Sequence, residues 1–223
     1  MTTGENFWDF FNAVVAPKLA LREISFRKIF EYLDKFPPPI TIVETGCARQ
    51  QDNWSGDGQS TILFDRYVTS RGGGSKVYSV DINATAVEIC KSQVSENASV
   101  YNEDSVVFLH QISNFFVKNK IQVNFVYLDS FDADLNYWFP SAAHHLKELL
   151  AVSRCMNSST LLVVDDCPKN VHVFQEDGGQ NKSLGEPLIA GKGKLIAEFA
   201  PKVGMDLLFS HYQAGWTGFN KET

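Results

Sequence analysis

The chain of 223 residues is 44% hydrophobic and 21% charged, a composition that predicts one globular domain, residues 1–223, with a sizeable core. Its net charge of −6 comes without a stripe of lysines and arginines. We therefore expect no nucleic-acid partner, because phosphates must be neutralised by clustered cations. No apolar run is long enough to span a bilayer, the first residues hold no signal-peptide core, and the four cysteines lack Cys-x-x-Cys spacing. These features predict no membrane association, no zinc site and a reducing, cytoplasmic location.

Helical patterns open the chain. Residues 7–20 and 22–35 have amphipathic spacing and end at Pro37-Pro38-Pro39, so residues 1–37 are expected to form an N-terminal helical extension. Its aromatic residues are expected to pack either on a partner subunit, in a homo-oligomer, or on the chain's own sheet.

After this extension, apolar strand patterns alternate with helical patterns. Strands are predicted at 40–44, 76–81, 98–101, 121–128 and 160–164. Helices are predicted at 59–69, 84–94, 105–118, 140–152 and 192–203. An antiparallel pair is predicted within 205–219. This order predicts an α/β fold: a doubly wound, mostly parallel sheet with helices on both faces and an antiparallel C-terminal edge.

The acidic residues that end these strands are the strongest chemical signal in the chain. Glu44 ends the first strand, Asp81 follows the second, Asp129 follows the strand at 121–128, and Asp165-Asp166 follow the last parallel strand. The carboxyl ends of parallel strands meet at one edge of a sheet, where open α/β sheets bind their ligands. One such acid is often a helix cap, but a set of four strand ends favours a functional site.

The first strand and its glycine turn predict a cradle for a nucleotide-like ligand. The run Ile40-Thr41-Ile42-Val43-Glu44-Thr45-Gly46-Cys47 is an apolar strand that ends in a carboxylate and turns on a glycine. Asp81, at the tip of the next strand, is placed to bind two ribose hydroxyls. The alternatives are that Glu44 only caps the loop and that Gly46 serves an ordinary strand-to-helix turn.

Two later helix starts are candidates for the same ligand site. Gly56-Asp57-Gly58-Gln59-Ser60-Thr61 opens a helix whose backbone N–H groups and positive dipole end suit a carboxylate, with Asp57, Gly58 and Ser60 as contacts. Alternatively, Asp57 or Ser60 is only the helix N-cap. Asp104 and Ser105 are expected either to approach an adenine edge or to form a plain helix start.

Four segments together resemble the class I S-adenosylmethionine-dependent methyltransferases, over about residues 38–218. They are Val43-Glu44-Thr45-Gly46, Val80-Asp81, Tyr127-Leu128-Asp129-Ser130 and Val163-Val164-Asp165-Asp166. The resemblance implies a seven-stranded Rossmann-like methyltransferase fold and S-adenosyl-L-methionine as cofactor. It also implies that the glycine loop holds the methionine part, Asp81 the ribose and Asp104 the adenine, with Asp129 a further cofactor contact. The compact Gly-x-Gly loop of that family is interrupted here, because residues 47–55 separate Gly46 from the next glycines.

Asp129, Asp165 and Asp166 further resemble the metal ligands of metal-dependent O-methyltransferases of the catechol and macrolide-sugar kinds. That resemblance implies Mg²⁺ or another hard divalent cation, and a small-molecule acceptor whose hydroxyl replaces metal-bound water. The catechol type has a lysine base three residues after its first ligand, where this chain has Asp132. The alternative is that the three acids are solvated caps.

Beside Asp129, the catalytic candidates are His144 and His145, on the helix predicted at 140–152. Neighbouring helical residues point about 100° apart, so at most one imidazole faces the site as a base; otherwise one is a core residue and one a surface residue. The long polar loop 166–191 begins at the acidic pair and is predicted to be a substrate lid.

The sequence therefore predicts a magnesium-assisted O-methyltransferase that acts on a small-molecule hydroxyl. Two alternatives stay open: a metal-dependent, hydrolase-like enzyme on the same fold, and a protein that binds S-adenosylmethionine without turnover. Binding of metal alone would favour the first alternative, and binding of cofactor alone the second.

Overall fold

The structure, a computed structural model, describes residues 6–134, 137–175 and 181–220. Its strands are β1 (Thr41–Thr45), β2 (Lys76–Asp81), β3 (Ala98–Asn102), β4 (Phe125–Leu128), β5 (Leu161–Val164), β6 (Lys169–Gln175), β7 (Asn181–Ile189), β8 (Asp206–Ser210) and β9 (Ala214–Thr217). Its α-helices are α1 (Phe7–Phe10), α2 (Glu23–Leu33), α3 (Trp54–Asp57), α4 (Ser60–Arg71), α5 (Ala84–Lys91), α6 (Ser105–Asn119), α7 (Phe139–Val152) and α8 (Lys194–Phe199). None of the described helices is long and apolar enough to cross a membrane.

Seven strands form one twisted sheet in the order β3-β2-β1-β4-β5-β9-β8. The five strands from β3 to β5 are parallel, and β9 is antiparallel to both of its neighbours. The predicted doubly wound sheet with an antiparallel C-terminal edge is confirmed. The strand order reverses between β1 and β4, so the carboxyl ends of these two strands mark the switch point where such sheets bind ligands.

Helices cover both faces of the sheet, and successive strand residues supply two separate cores. In β1, Ile42 packs into the core formed with α2 and α4, whereas Val43 packs into the core formed with α6 and α7. The same alternation holds in β4, where Val126 faces the second core and Tyr127 the first. Because both faces are buried, the parallel strands appear in the sequence as continuous apolar runs.

The N-terminal segment is helical but less regular than the predicted helix at 7–20. α1 continues into a π-helical turn over Phe11–Val15, followed by 3₁₀ turns at Ala16–Lys18 and Ala20–Arg22. Pro17 lacks an amide hydrogen, which prevents a continuous α-helical ladder. Phe7 packs on Phe30 and Tyr67, with ring centroids 4.6 Å and 5.0 Å apart. These aromatic side chains thus bury themselves on the chain's own helices.

The segment 166–191 is predicted to be a long polar loop, whereas its described residues form a hairpin. β6 and β7 pair antiparallel in a two-stranded sheet of their own, with residues 176–180 at the tip outside the described residues. Val171, Val173 and Phe174 are residue types that favour strands, although the polar composition of the whole segment predicts a loop. The helix predicted at 192–203 is also shorter: α8 is flanked by 3₁₀ turns at Gly191–Gly193 and Ala200–Val203.

Candidate active site

The loop after β1 lies directly against the end of β4. Gly46 has φ +80°, and a Cβ at this position would overlap the carbonyl oxygen of Asp129. Its N–H donates to the carbonyl oxygen of Val80 at 2.8 Å, and the N–H of Asp129 donates to that of Thr45 at 2.9 Å. A glycine at position 46 therefore lets the ends of β1, β2 and β4 meet at the switch point.

Glu44 is fully buried beneath this loop. Its Oε2 accepts hydrogen bonds from Thr61 Oγ1 at 2.7 Å and Ser79 Oγ at 2.6 Å, whereas Oε1 has no donor in hydrogen-bonding geometry among the described residues. Burial raises the pKa of Glu44 to about 7, although the hydroxyls of Ser60, Ser79 and Thr61 oppose that rise. Glu44 joins β1 to β2 and α4, and it keeps one oxygen without a partner.

Asp81, at the end of β2, hydrogen-bonds to the backbone of the same loop. Its Oδ2 accepts from the N–H of Cys47 at 3.2 Å and its Oδ1 from the N–H of Asn83 at 2.8 Å. Asp81 lines a cleft at the carboxyl edge of the sheet, together with Gly46, Cys47, Arg49, Ser60, Asp129 and Ser130. Four predicted site residues, Gly46, Ser60, Asp81 and Asp129, are thus brought together. A neighbouring cleft of about 510 Å³ shares Arg49 and extends towards the start of α5, which gives room for a small organic ligand.

α4 begins at Ser60 without a side-chain cap. Gln59 occupies the N-cap position with a left-handed φ of 50°, after Gly58 at φ 69°. The alternative that Asp57 or Ser60 is the N-cap is therefore wrong. Ser60 lines the cleft, so the first N–H groups of α4 lie at its wall. The side chain of Asp57 lies outside what the structure describes.

Asp104 is the N-cap of α6, where its side chain accepts from the N–H of Val107 at 3.0 Å. The prediction of a helix start at this position is confirmed. The next residue, Ser105, is buried, and its hydroxyl lies 3.0 Å from Nε2 of His144. Ser105 therefore connects the start of α6 to the histidine pair on α7.

Asp129, Asp165 and Asp166 converge at the ends of β4 and β5. One carboxylate oxygen from each lies within 4.8 Å of the others, a spacing at which three oxygens can bind one cation. Asp165 is fully buried, whereas the side chains of Asp129 and Asp166 are 18% and 25% exposed. The predicted meeting of these three acids is therefore present in the structure.

Two buried cationic side chains already contact this cluster. Arg22 donates from Nε to both oxygens of Asp165, at 2.9 Å and 3.1 Å, and from a terminal nitrogen to Asp166 at 3.2 Å. Nζ of Lys192 contacts Asp129 Oδ1 and lies 3.0 Å from Asp166 Oδ2. The hydroxyl of Tyr212 donates to Asp166 at 2.6 Å.

These contacts fix the charges of the cluster. Burial alone would lower the pKa of Lys192, but the three carboxylates outweigh burial and raise it, so the ammonium stays protonated. Burial alone would raise the pKa of Asp166, but Lys192 and the hydroxyl of Tyr212 hold it below its usual value. Burial raises the pKa of Asp129, with Lys192 opposing and the neighbouring acids reinforcing the rise. With all three carboxylates ionised, three negative and two positive charges give the cluster a net charge of −1.

The histidine pair divides as its helical geometry predicts. His145 is fully buried, its Nδ1 lies 2.7 Å from the carbonyl oxygen of Ser141, and burial lowers its pKa to about 4. His144 keeps a 21% exposed side chain and lies 3.4 Å from Glu148 Oε1. Of the two imidazoles, that of His144 is therefore accessible to solvent and that of His145 is not.

Glu148 is a buried carboxylate that links the histidines to the end of β4. Its Oε1 accepts from Ser130 Oγ at 2.6 Å and its Oε2 from Thr45 Oγ1 at 3.2 Å. Burial alone would raise the pKa of Glu148, but hydrogen bonding to His144 and to nearby hydroxyls holds it below its usual value. Glu148 is therefore an ionised carboxylate that holds Ser130, the residue after Asp129, by a hydrogen bond.

The geometry of the acid cluster suits a cation, but its carboxylate oxygens already contact Arg22 and Lys192. A divalent ion between Asp129 and Asp166 would have to displace the ammonium of Lys192. Magnesium also keeps several waters when it is bound by one or two carboxylates, which calls for open coordination positions. As arranged here, the three acids form an ion-pair network rather than an open magnesium site.

No protein-family model matches the chain, and no curated protein sequence matches it. Solved structures do match. One is the MycE methyltransferase from the mycinamycin biosynthetic pathway in complex with Mg, SAH and mycinamycin VI, at a TM-score of 0.53 and 13% identity, covering 100% of this chain and 65% of that one. The chain has the Rossmann-like methyltransferase fold. Another is NSun6 from Pyrococcus horikoshii with SFG, at a TM-score of 0.53 and 11% identity, covering 86% of this chain and 51% of that one.

The methyltransferase fold is therefore shared with proteins that are longer than this chain, which spans about two thirds and one half of their lengths. At these identities the likeness concerns the fold.

Sequence reasoning missed four residues of the site: Arg22, Glu148, Lys192 and Tyr212. Arg22, Lys192 and Tyr212 join the site only through tertiary contacts, since they lie 143, 63 and 46 residues from Asp165, Asp129 and Asp166 respectively. Glu148 contacts His144 on its own helix, but its bonds to Ser130 and Thr45 are tertiary as well. The one local signal is Gly191-Lys192-Gly193, a lysine between two glycines directly after the hairpin.

Proposed function

We propose that this protein is an S-adenosylmethionine-dependent methyltransferase that acts on a hydroxyl group of a small molecule. The observation that carries the proposal is the cleft in which Asp81, the loop at Gly46 and Asp129 meet, at the switch point of a methyltransferase fold. This small pocket shares Arg49 with the neighbouring cleft of about 510 Å³, which has room for a nucleoside, and the pocket itself is lined by the acidic residues Asp81 and Asp129.

The residues at the cofactor end would bind and orient S-adenosylmethionine. When bound, S-adenosylmethionine supplies a methyl group on a positively charged sulfur. Asp81 accepts a hydrogen bond from the N–H of Cys47, and we assign its carboxylate to the ribose hydroxyls. Among the described residues, Glu44 Oε1 has no hydrogen-bond partner and the start of α4 has no side-chain cap, and these groups fit an ammonium and a carboxylate respectively. These unsatisfied groups support the assignment of the methionine part to this loop.

The acceptor end lies around Asp129 and Ser130. Asp129 lines the cleft, and Ser130 is held by Glu148 at 2.6 Å. We assign the acceptor hydroxyl to this end, with His144 as the residue that takes its proton, because His144 is partly exposed and is oriented by Ser105 and Glu148. The ring of Phe131, 5.4 Å from that of His144, provides an apolar wall. Transfer is an in-line displacement, so this positioning supplies much of the rate.

A second form of the proposal adds Mg²⁺, or another hard divalent cation, at Asp129, Asp165 and Asp166. The convergence of the three carboxylates within 4.8 Å favours it, and MycE, which has the same fold, was solved with Mg. This form requires Lys192 to withdraw from the cluster, because its ammonium contacts two of the three ligands.

The hairpin of β6 and β7 is assigned as the lid over the acceptor. β6 begins three residues after Asp166 and β7 ends three residues before Lys192, and the N–H of Lys192 donates to the carbonyl oxygen of Asp166 at 3.1 Å, so the base of the hairpin lies at the acid cluster. A lid at this position would exclude water from the acceptor when it closes.

Two measurements on purified protein test the proposal. Calorimetry should show binding of S-adenosylhomocysteine, and a library of small molecules with hydroxyl groups should contain acceptors that release it from S-adenosylmethionine. Binding of the cofactor product without turnover of any acceptor would favour a non-catalytic binding protein. Binding of Mg²⁺ without binding of the cofactor product would favour a metal-dependent, hydrolase-like enzyme, and the proposed function would be wrong.

A further inference from the structure

The position of Lys192 is fixed by the backbone as well as by its charge. Gly191 has φ +61°, and a Cβ there would overlap the carbonyl oxygen of Asp166. The N–H of Lys192 donates to that same oxygen at 3.1 Å. The glycine therefore allows the turn to pass against Asp166, and the side chain of Lys192 starts from a backbone already bonded to one of its partners.

The ammonium of Lys192 lies between two strand ends. It contacts Asp129 after β4 and lies 3.0 Å from Asp166 after β5. The side chain of Lys192 is fully buried, so its ammonium is part of the interior of the protein and is not on a flexible surface side chain. A buried ammonium is stable only when carboxylates compensate it, and here the compensating carboxylates are those that would ligate a metal.

Arg22 fills the other side of the cluster. It bonds to both oxygens of Asp165 and to Asp166, and its guanidinium lies 4.8 Å from the centre of the Tyr212 ring. Every one of the three carboxylates therefore has a cationic partner. A divalent ion would have to enter beside two positive charges, or expel a buried side chain from its carboxylate partners.

We propose that Lys192 takes the place of a divalent cation in this site, so that the carboxylates of Asp129 and Asp166 are held together by an ammonium from the chain itself. Lys192 is a positioning residue: it orients Asp129 at the wall of the cleft and needs no exchangeable metal. The inference rests on the proposed function for its role in methyl transfer, but the occupancy of the cluster can be measured independently of any activity.

Metal binding to the protein provides the test. Mn²⁺ and Mg²⁺ are titrated into the metal-free chain by calorimetry, for wild type, Lys192→Met and Lys194→Met. Lys194 is the matched control, because it lies two residues away and pairs with Glu198 on the surface of α8 at 2.8 Å. We expect no site in wild type or Lys194→Met up to millimolar metal. In Lys192→Met we expect a metal site whose dissociation constant is at least tenfold below that millimolar limit, because the variant leaves the carboxylates of Asp129 and Asp166 without their ammonium.

Thermal unfolding separates this role from simple packing. Lys192→Met should melt at a lower temperature than wild type, and Mg²⁺ should restore the loss in that variant while leaving wild type and Lys194→Met unchanged. A lysine that only fills space would give the loss without the rescue. If Lys192→Met does not fold, Lys192→Gln, which keeps a hydrogen-bond donor, is measured in the same way.

Two outcomes would overturn the inference. One is a tight Mg²⁺ site in wild type that Asp129→Asn abolishes. The other is a lysine variant that neither binds nor is stabilised by metal, because the three acids would then be no cation site at all. Neither outcome bears on cofactor binding, so a failure of the inference is distinguished from a failure of the proposed function by calorimetry with S-adenosylhomocysteine.

Discussion

Glu44 is the single residue whose burial has the clearest energetic consequence. Its pKa of about 7 in the folded chain lies above the ordinary value of 4.5 for a glutamate. The folded state therefore favours the protonated form, and the stability that this preference contributes is present below pH 4.5 and is lost as the pH rises through 7. The full loss corresponds to roughly 3 kcal/mol.

Replacing Glu44 by glutamine should remove this dependence on pH. The free energy of unfolding of wild type, relative to Glu44→Gln, should fall by roughly 2–3 kcal/mol between pH 5 and pH 8, because only the wild-type side chain ionises. Urea unfolding at the two pH values measures the difference. Glu88→Gln, at an exposed glutamate on α5, should show no such change. A difference between wild type and Glu44→Gln that stays constant with pH would mean that Glu44 ionises normally.

The two neighbouring histidines should respond differently to mutation. His144→Ala should lower turnover about 10²–10⁴-fold with little effect on unfolding, because His144 is partly exposed and is assigned as the base. His145→Ala should instead lower the free energy of unfolding by about 1–3 kcal/mol, since it removes a buried ring bonded to Ser141. Turnover rates and urea midpoints measure both. Normal turnover in His144→Ala would remove it from the mechanism.

At the scale of elements, the turn between β1 and α3 sets the shape of the cleft. Gly46→Ala should destabilise the chain by several kcal/mol and abolish binding of S-adenosylhomocysteine, because it combines a positive φ with overlap on Asp129. Gly72→Ala is the control. Gly72 also has a positive φ of 62°, with ψ −151°, a region that is used almost only by glycine, but a Cβ there meets nothing within 4 Å. Only about 1–3 kcal/mol of stability should therefore be lost to backbone strain, and binding should be kept. Equal effects of the two substitutions would contradict the close approach of β1 and β4.

The hairpin of β6 and β7 can be shortened without touching the sheet. Replacing residues 174–182 by an Asn-Gly turn removes the tip of the hairpin and its last two paired positions, Phe174↔Lys182 and Gln175↔Asn181, and leaves Val173 paired with Ser183. As a lid, the shortened hairpin should raise the Michaelis constant for the acceptor several-fold, while the affinity for S-adenosylhomocysteine and the unfolding midpoint stay unchanged. Kinetics on an acceptor from the library, calorimetry and urea unfolding give these three values. Unfolding of the shortened variant would show that the hairpin is structural packing, and unchanged kinetics would show that it is passive.

At the scale of the whole molecule, the sequence predicts the sheet well because buried parallel strands are continuous apolar runs. β1, β2 and β5 lie within one residue of their predicted limits. The strand predicted at 121–128 is shorter in the structure, because β4 begins at Phe125. The residue before it, Asn124, uses its side-chain oxygen to accept a hydrogen bond from the N–H of Thr41. The hairpin was missed because its polar composition hides a strand pattern.

The sequence also predicts half of the site. The acids at strand ends are visible because the sheet topology alone brings such ends together. Their partners are not visible, because Arg22 comes from the N-terminal extension and Lys192 from the far end of the hairpin, and no local pattern connects either with Asp165 or Asp129. The acids at the strand ends of this sequence therefore suggest a metal site, whereas in the folded chain Arg22 and Lys192 pair with them.

The most direct test of the central claim is calorimetry of S-adenosylhomocysteine binding to wild type, Asp81→Ala and Glu88→Ala. Asp81 holds the loop at Cys47 and lines the cleft, whereas Glu88 is an exposed acid on α5, the helix that follows. We predict that wild type and Glu88→Ala bind alike, and that Asp81→Ala binds more weakly by roughly 1.5–3 kcal/mol, or about 10–150-fold, through loss of charge-assisted hydrogen bonds. Absence of binding by wild type, or equal binding by a folded Asp81→Ala, would contradict the account.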